Sequence, residues 1–238
     1  MPPLSSFCVV LPVYNERENI EACIRGIADF LKGVPARTAI VAVDDGSRDD
    51  SLELMRRLAQ TVPNLIVEPR PQNGGYGAAN RSGFAVAIRE GFDYALVMDA
   101  DGTQDPVFIE RFFAPMAAGV DFIKATRYAQ GGRVIGVGRR RYVISWVGNY
   151  LARAAMRISL TDYTNGFRAI RAPLLKRLET RETGFAMLME EVRAAQRLGA
   201  TFSEVPYTLT VRSEEESASK FSYSINVYLT YLKYVFFK

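Results

Sequence analysis

An α/β domain built on a mostly parallel sheet is predicted by three observations. Apolar runs of strand length recur, segments with helical periodicity lie between them, and a polar cluster stands where each run ends. Phe7 to Val13 is continuously apolar, as a strand buried on both faces should be. A helix from about Arg17 follows, with Ile20, Ile24, Ile27 and Leu31 at helical spacing. Thr38 to Asp44 reads as a second buried strand and Ser51 to Leu58 as its helix. Asn64 to Glu68 is a third strand, Gly77 to Arg89 a helix, and Tyr94 to Asp99 a fourth strand. The second half is less regular. It predicts helices over Tyr142 to Ile158 and Gly184 to Leu198, short strands in TFSEVP and TLTV, and an amphipathic segment over Tyr223 to Phe237. No repeat or linker divides the chain, so residues 1–238 read as one domain with a ligand-binding half to about residue 125.

The composition narrows the chemistry. Of 238 residues 48% are apolar and 24% charged, a balance that supports a sizeable core. Histidine is absent, which removes Ser-His-Asp and Cys-His triads, His-ligated zinc and His acid–base catalysis. Cys8 and Cys23 form no CxxC pair and read as thiols of a reducing compartment. The start lacks a basic signal-peptide region, and no run reaches the roughly 20 apolar residues that span a bilayer. A net charge of +4 says little; its distribution says more. Between Phe122 and Leu178 stand twelve basic residues against one acid, Asp162, a stripe suited to phosphates or an acidic surface.

In parallel sheets ligands bind at the carboxyl ends of the strands. There the sequence places Pro12-Val13-Tyr14-Asn15-Glu16, Asp44-Asp45-Gly46-Ser47, Asn73-Gly74-Gly75-Tyr76-Gly77, and Asp99-Ala100-Asp101-Gly102-Thr103-Gln104. Alternate residues of an extended segment point the same way, so Asp99 and Asp101 can converge on Mg²⁺ or Mn²⁺ completed by a diphosphate. The competing reading is a solvated Asx-turn. Two consecutive acids at Asp44 and Asp45 exceed what a helix cap needs and suit a nucleoside's N–H or hydroxyl groups. The glycines of 74–77 lack a Gly-Lys-Ser/Thr ending, and Gly83, Ala87 and Gly91 at four-residue spacing suggest close helix packing.

These four clusters, in this order, resemble the family 2 glycosyltransferases with the GT-A fold, a Rossmann-like, mostly parallel sheet flanked by helices. ATRYAQGG, the arginines after it, DYTNGFRAIR and EVPYTLTVRSEEESASK resemble the polyprenyl-phosphate (dolichyl-phosphate) mannose synthase branch. The resemblance implies that Pro12, Tyr14, Glu16 and Asp44 or Asp45 line the nucleoside site, and that Asp99 and Asp101 are the donor and metal carboxylates. It implies also that Arg127, Arg141, Arg212 and Lys220 hold phosphates of donor and acceptor. Relatives often place a metal-binding Gln two residues after the second aspartate; here Thr103 stands there, and either it supports a hydrated shell or Gln104 reaches the metal. ESASK likewise replaces the usual GxSK.

The implied reaction is inverting transfer of a hexose from a GDP-mannose or UDP-glucose type donor to a polyprenyl phosphate. That acceptor is already anionic near neutral pH, with a second pKa of about 6, so a chain without histidine needs no base to activate it. The other enzymatic reading makes a sugar hydroxyl the acceptor and Glu190 or Glu191 its base, against the plain expectation of a solvated helix face. Val143, Ile144, Trp146, Val147, Tyr150 and Leu151, flanked by arginines, predict an interfacial helix on the cytoplasmic face of a membrane, with the C-terminal segment as its companion. A nucleic-acid-binding module would use the basic stripe but leaves four aspartates without a role, so no nucleic-acid partner is expected.

Overall fold

The computed structural model of the protein describes residues 5–210 together with Tyr231 and Tyr234, the side chain of Arg141 excepted. Strands β1 (Phe7–Val13), β2 (Thr38–Asp44), β3 (Leu65–Pro69) and β4 (Tyr94–Val97) alternate with helices α1 (Ile20–Leu31), α2 (Ser51–Leu58) and α3 (Tyr76–Arg89). These four strands pair in parallel. Strand β1 is apolar on both faces because each face is covered: Phe7, Val9 and Leu11 enter the core under α1, while Cys8 and Val10 meet the core under α3. Glycine at 83 lets α3 lie close, since a methyl group there would overlap the Val10 side chain.

Beyond β4 come a 3₁₀ stretch (Pro106–Phe112), α4 (Phe113–Ala117), β5 (Phe122–Thr126), β6 (Arg133–Val134), α5 (Arg139–Met156), β7 (Arg168–Arg171), α6 (Ala172–Leu175), α7 (Met187–Arg197), β8 (Phe202–Pro206) and β9 (Thr208–Leu209). Among the described residues the main sheet has seven strands in the order β3-β2-β1-β4-β7-β5-β8, and β6 pairs with β9 in a small second sheet. Strand β7 runs antiparallel between β4 and β5. Neither β5 nor β7 carries an uninterrupted apolar run; β7 reads Arg-Ala-Ile-Arg, so pairing rather than hydropathy places it.

The expected β1, β2 and α2 match the structure residue for residue. Helix α1 starts at Ile20 rather than near Arg17, because Asn15 takes a left-handed turn (φ 51°) and the Glu16 carbonyl collects the N–H groups of Asn19 and Ile20. Strand β4 ends at Val97, which turns Asp99 out of the sheet. Helix α5 starts at Arg139 and stops before Arg157, a left-handed residue with φ 55°. Of the expected C-terminal segment, only Tyr231 and Tyr234 fall within the described residues. Since β1 neighbours both β2 and β4, the crevice at the carboxyl ends of β1 and β4 is the sheet's switch point.

Candidate active site

Asp99 and Asp101 leave the end of β4 in this crevice. Asp99 is held at both ends of its residue by Gln104: the Gln104 amide Nε2 donates to its Oδ2 at 2.7 Å, and its backbone N–H donates to Gln104 Oε1 at 3.0 Å. Gln104, expected as a third metal ligand, is thus turned inward as a brace. At 4% exposure both ends of its amide need protein partners, and the Asp99 residue supplies them. Asp101 Oδ1 accepts from the Thr103 N–H (3.1 Å) and hydroxyl (2.7 Å). The Asx-turn weighed against metal binding is therefore present, and Thr103 orients Asp101 through it.

The neighbouring strand ends divide their acids between two tasks. Asp45, 3% exposed at its side chain, pairs with Arg70 at 2.8 Å and accepts the N–H groups of Gly74 and Gly75 at 3.0 and 2.8 Å. It ties the glycine turn to β2. Asp44 is buried beside it and caps the Ser47 N–H. Of the two consecutive acids, Asp44 is the one without an ion pair among the described residues. Gly75 sits at φ 87° ahead of α3, a left-handed value that suits glycine. Pro12 and Tyr14 are half-buried at the end of β1. Glu16 is buried and accepts from Asn19 Nδ2 at 2.9 Å, while Ser47 Oγ accepts the Asn15 N–H and so joins the β1 and β2 ends.

A second charged cluster is built on the entry to β7. Arg127, leaving β5, meets Asp162 through two bonds of 2.7 and 2.8 Å, and Asp162 also accepts the Arg127 N–H. Burial alone would lower the Arg127 pKa, but Asp162 more than reverses this and the group stays charged. Deeper still, Arg168 is fully buried and bidentate to Glu191, at 2.5 and 2.7 Å. It donates further to Gly166 O, Asn80 Oδ1 and the Tyr76 hydroxyl. Glu190 is buried as well, accepting the Arg181 and Glu182 N–H groups at 2.9 and 2.8 Å. The expected solvated helix face is overturned for both: α7 turns these acids inward, where their charge meets donors.

Sequence reasoning read Tyr163-Thr164-Asn165-Gly166 as a turn and counted Asp162, Lys124 and Arg168 in the basic stretch, but gave none of them a role in the site. Asp162 carried a signal, since a lone acid among twelve bases is the natural counter-ion for one of them. The basic stripe is accordingly not one surface: Lys124 and Arg168 lie in the core and Arg127 is ion-paired. Arg141 falls by its backbone in the first turn of α5, its side chain outside the described residues, where Arg212 and Lys220 also lie. Cys8 is a buried free thiol. Cys23 is a half-buried free thiol whose sulfur lies 4.0 Å from Asp99 O; burial pushes its pKa up to about 12.

A sheet of this order, with a carboxylate-bearing crevice at its switch point, is the architecture of nucleotide-sugar transferases of the GT-A fold. The fold matches that of glucosyl-3-phosphoglycerate synthase from Mycobacterium tuberculosis. The match to its phosphoglyceric acid complex has a TM-score of 0.69 and 21% identity, covering 97% of this chain and 80% of that one. The complex of the same enzyme with Mn²⁺, UDP-glucose and phosphoglyceric acid matches with a TM-score of 0.66 and 22% identity, covering 90% and 73%. The chain belongs to glycosyl transferase family 2, whose model matches residues 8–179. It is 32% identical to the polyprenol monophosphomannose synthase of Mycolicibacterium smegmatis over 92% of this chain and 82% of the relative. With the undecaprenyl-phosphate mannosyltransferase of Micrococcus luteus it shares 30% identity over 87% and 85%.

Proposed function

We propose that the protein transfers a hexose, with inversion, from a nucleotide-sugar of the GDP-mannose or UDP-glucose type to a polyprenyl phosphate, while resting on the cytoplasmic face of a membrane. The observation that carries the acceptor side is α5. Tyr142, Val143, Ile144, Trp146, Val147, Tyr150 and Leu151 are 40 to 61% exposed on it, with Arg139, Arg140, Arg153 and Arg157 exposed around them. Contiguous exposed apolar surface of this kind, rimmed by arginine, suits the interface of an anionic bilayer. No helix among the described residues is long and apolar enough to cross one. Names of the two relatives fit the same acceptor class.

Pro12, Tyr14, Glu16 and Asp44 line the nucleoside end in this reading, with Asp45 holding the glycine turn beside them. Mg²⁺ or Mn²⁺ fits at Asp99 and Asp101 by the chemistry of the donors: both are carboxylates, held by Gln104 and Thr103, and two such oxygen ligands leave room for diphosphate oxygens and water. When bound there, such an ion offsets the charge of the departing diphosphate. The rest falls to the chain's own groups. Arg127, fixed by Asp162 through Nε and Nη2, keeps Nη1 for a phosphate, and Arg141, Arg212 and Lys220 add charge. The acceptor's ionised phosphate oxygen bonds to the anomeric carbon on the face opposite the nucleotide. The bond from that carbon to the diphosphate oxygen breaks, and its electron pair leaves with the nucleoside diphosphate. No proton has to be removed first.

The test is transfer of labelled sugar from GDP-mannose or UDP-glucose to a short polyprenyl phosphate with Mn²⁺ or Mg²⁺. Label is expected in the lipid, and is expected to disappear on chelation and in Asp101→Asn and Arg141→Ala. Metal-dependent donor binding with no labelled lipid from either donor would overturn the acceptor assignment.

A further inference from the structure

Beneath the crevice the main sheet carries a lysine with no route to solvent. Lys124 lies in β5, directly opposite Arg168 of β7, and is 0% exposed. Its ammonium donates to a backbone acceptor, the Asn165 carbonyl, at 2.7 Å. The next carbonyl, of Gly166, accepts from Arg168 Nη1 at 2.7 Å. Two buried cations on adjacent strands therefore hold two successive carbonyls of one turn. The Asn165 side chain completes the clamp: its Nδ2 donates to Ala125 O at 2.8 Å, and its Oδ1 accepts from the Phe167 N–H and the Tyr207 hydroxyl.

The far side of that turn faces the donor carboxylate. A methyl group on Gly166 would stand 3.0 and 3.2 Å from the two Asp99 oxygens and 2.8 Å from the Tyr76 hydroxyl. Asp99 is thus bounded by Gln104 on one side and by the Gly166 backbone on another. Burying a lysine is costly, and burial, with Arg168 adding to it, brings the Lys124 pKa down to about 7. Asp162 and Glu191 oppose that shift, and Arg127 adds slightly to it. A methionine would fill the same strand position without this cost.

We propose that Lys124 is a positioning residue for sugar transfer: by holding the Asn165 carbonyl it seats the Asn165–Gly166 turn against Asp99 and so sets the aim of that carboxylate. The inference rests on the donor-site reading given above and is independent of the acceptor. Releasing the turn frees Asp99 to swing toward β7, and the grip on a metal-bound nucleotide loosens while the fold persists.

The experiment compares wild type, Lys124→Met, Gly166→Ala and the double variant, by calorimetry with Mn²⁺ and GDP or UDP and by thermal unfolding. Lys124→Met is expected to melt at or above wild type yet bind the Mn²⁺–nucleotide about five- to tenfold more weakly. Gly166→Ala is expected to weaken binding similarly, and the double variant no more than the worse single one, as for two changes acting through one turn. In sugar transfer the same variants are expected to lose kcat while KM for the lipid stays within twofold. Wild-type affinity in Lys124→Met, additive losses in the double variant, or a fall in melting temperature that accounts for the lost binding would each overturn the proposal. A wild-type protein that binds neither nucleotide with Mn²⁺ would remove the donor-site reading and this inference with it.

Discussion

The two halves of the main sheet handle charge in opposite ways. In the parallel half the core strands β1 and β4 are apolar and β2 is apolar between its end residues, and ionisable groups wait at the carboxyl ends, where Asp44, Asp99 and Asp101 stand. In the mixed half, charge is drawn into the sheet itself: Lys124 and Arg168 are fully buried, Glu191 neutralises Arg168, and Asp162 neutralises Arg127. Acids that bind a ligand can sit at a rim, because substrate and metal complete their partners. Cations that shape a turn must reach backbone carbonyls, and those lie inside. In the proposed reading the parallel half presents the chemistry and the mixed half aims it.

That contrast can be broken at several points. Glu191→Gln should cost the most stability, about 3–5 kcal/mol by urea unfolding, because it strands the Arg168 charge in the core. A cost below 1 kcal/mol would mean that Arg168 is solvated and the inner layer is not as described. Asp101→Asn should leave unfolding unchanged and lower sugar transfer by about 10²–10³-fold, the scale of losing one electrostatic contact to the transition state. If it instead destabilised the fold while sparing transfer, the rim and the interior would have exchanged roles. Gly83→Ala presses a methyl group into Val10 and should cost about 1–3 kcal/mol with little change in nucleotide affinity per folded molecule.

Lys124 provides a pH signature. Its pKa falls from 10.5 unfolded to about 7 folded, so between those values the unfolded chain holds the extra proton. Wild-type stability should therefore rise with pH across that window relative to Lys124→Met, and run parallel to it below pH 7. A parallel course throughout would show that the amine is not desolvated. The smallest effect is expected on α5. Trp146→Ser with Tyr150→Ser should reduce binding to phosphatidylglycerol vesicles about tenfold, measured by flotation, at unchanged melting temperature.

Hydropathy and order made the parallel half legible. Buried strands there are uninterrupted apolar runs, so Phe7 to Val13 and Thr38 to Asp44 could be bounded to the residue, and the acids following them could be read as a rim. The family likeness begins at the same rim and continues into the motifs of the second half. The charge count of the second half was legible too, but not its disposition. Nothing in Arg-Ala-Ile-Arg says that it forms a strand between β4 and β5, nor does Leu-Met-Glu-Glu-Val say that both acids turn inward. A charged residue is buried only when a partner from elsewhere in the chain meets it, and the partners here lie 23 residues apart for Arg168 and Glu191 and 35 for Arg127 and Asp162. Local sequence determined which strands stand in the core and which acids leave their ends. Tertiary pairing alone decided which cations became interior clamps and which were left to face an anion, because that choice depends on distances between segments that no local pattern encodes.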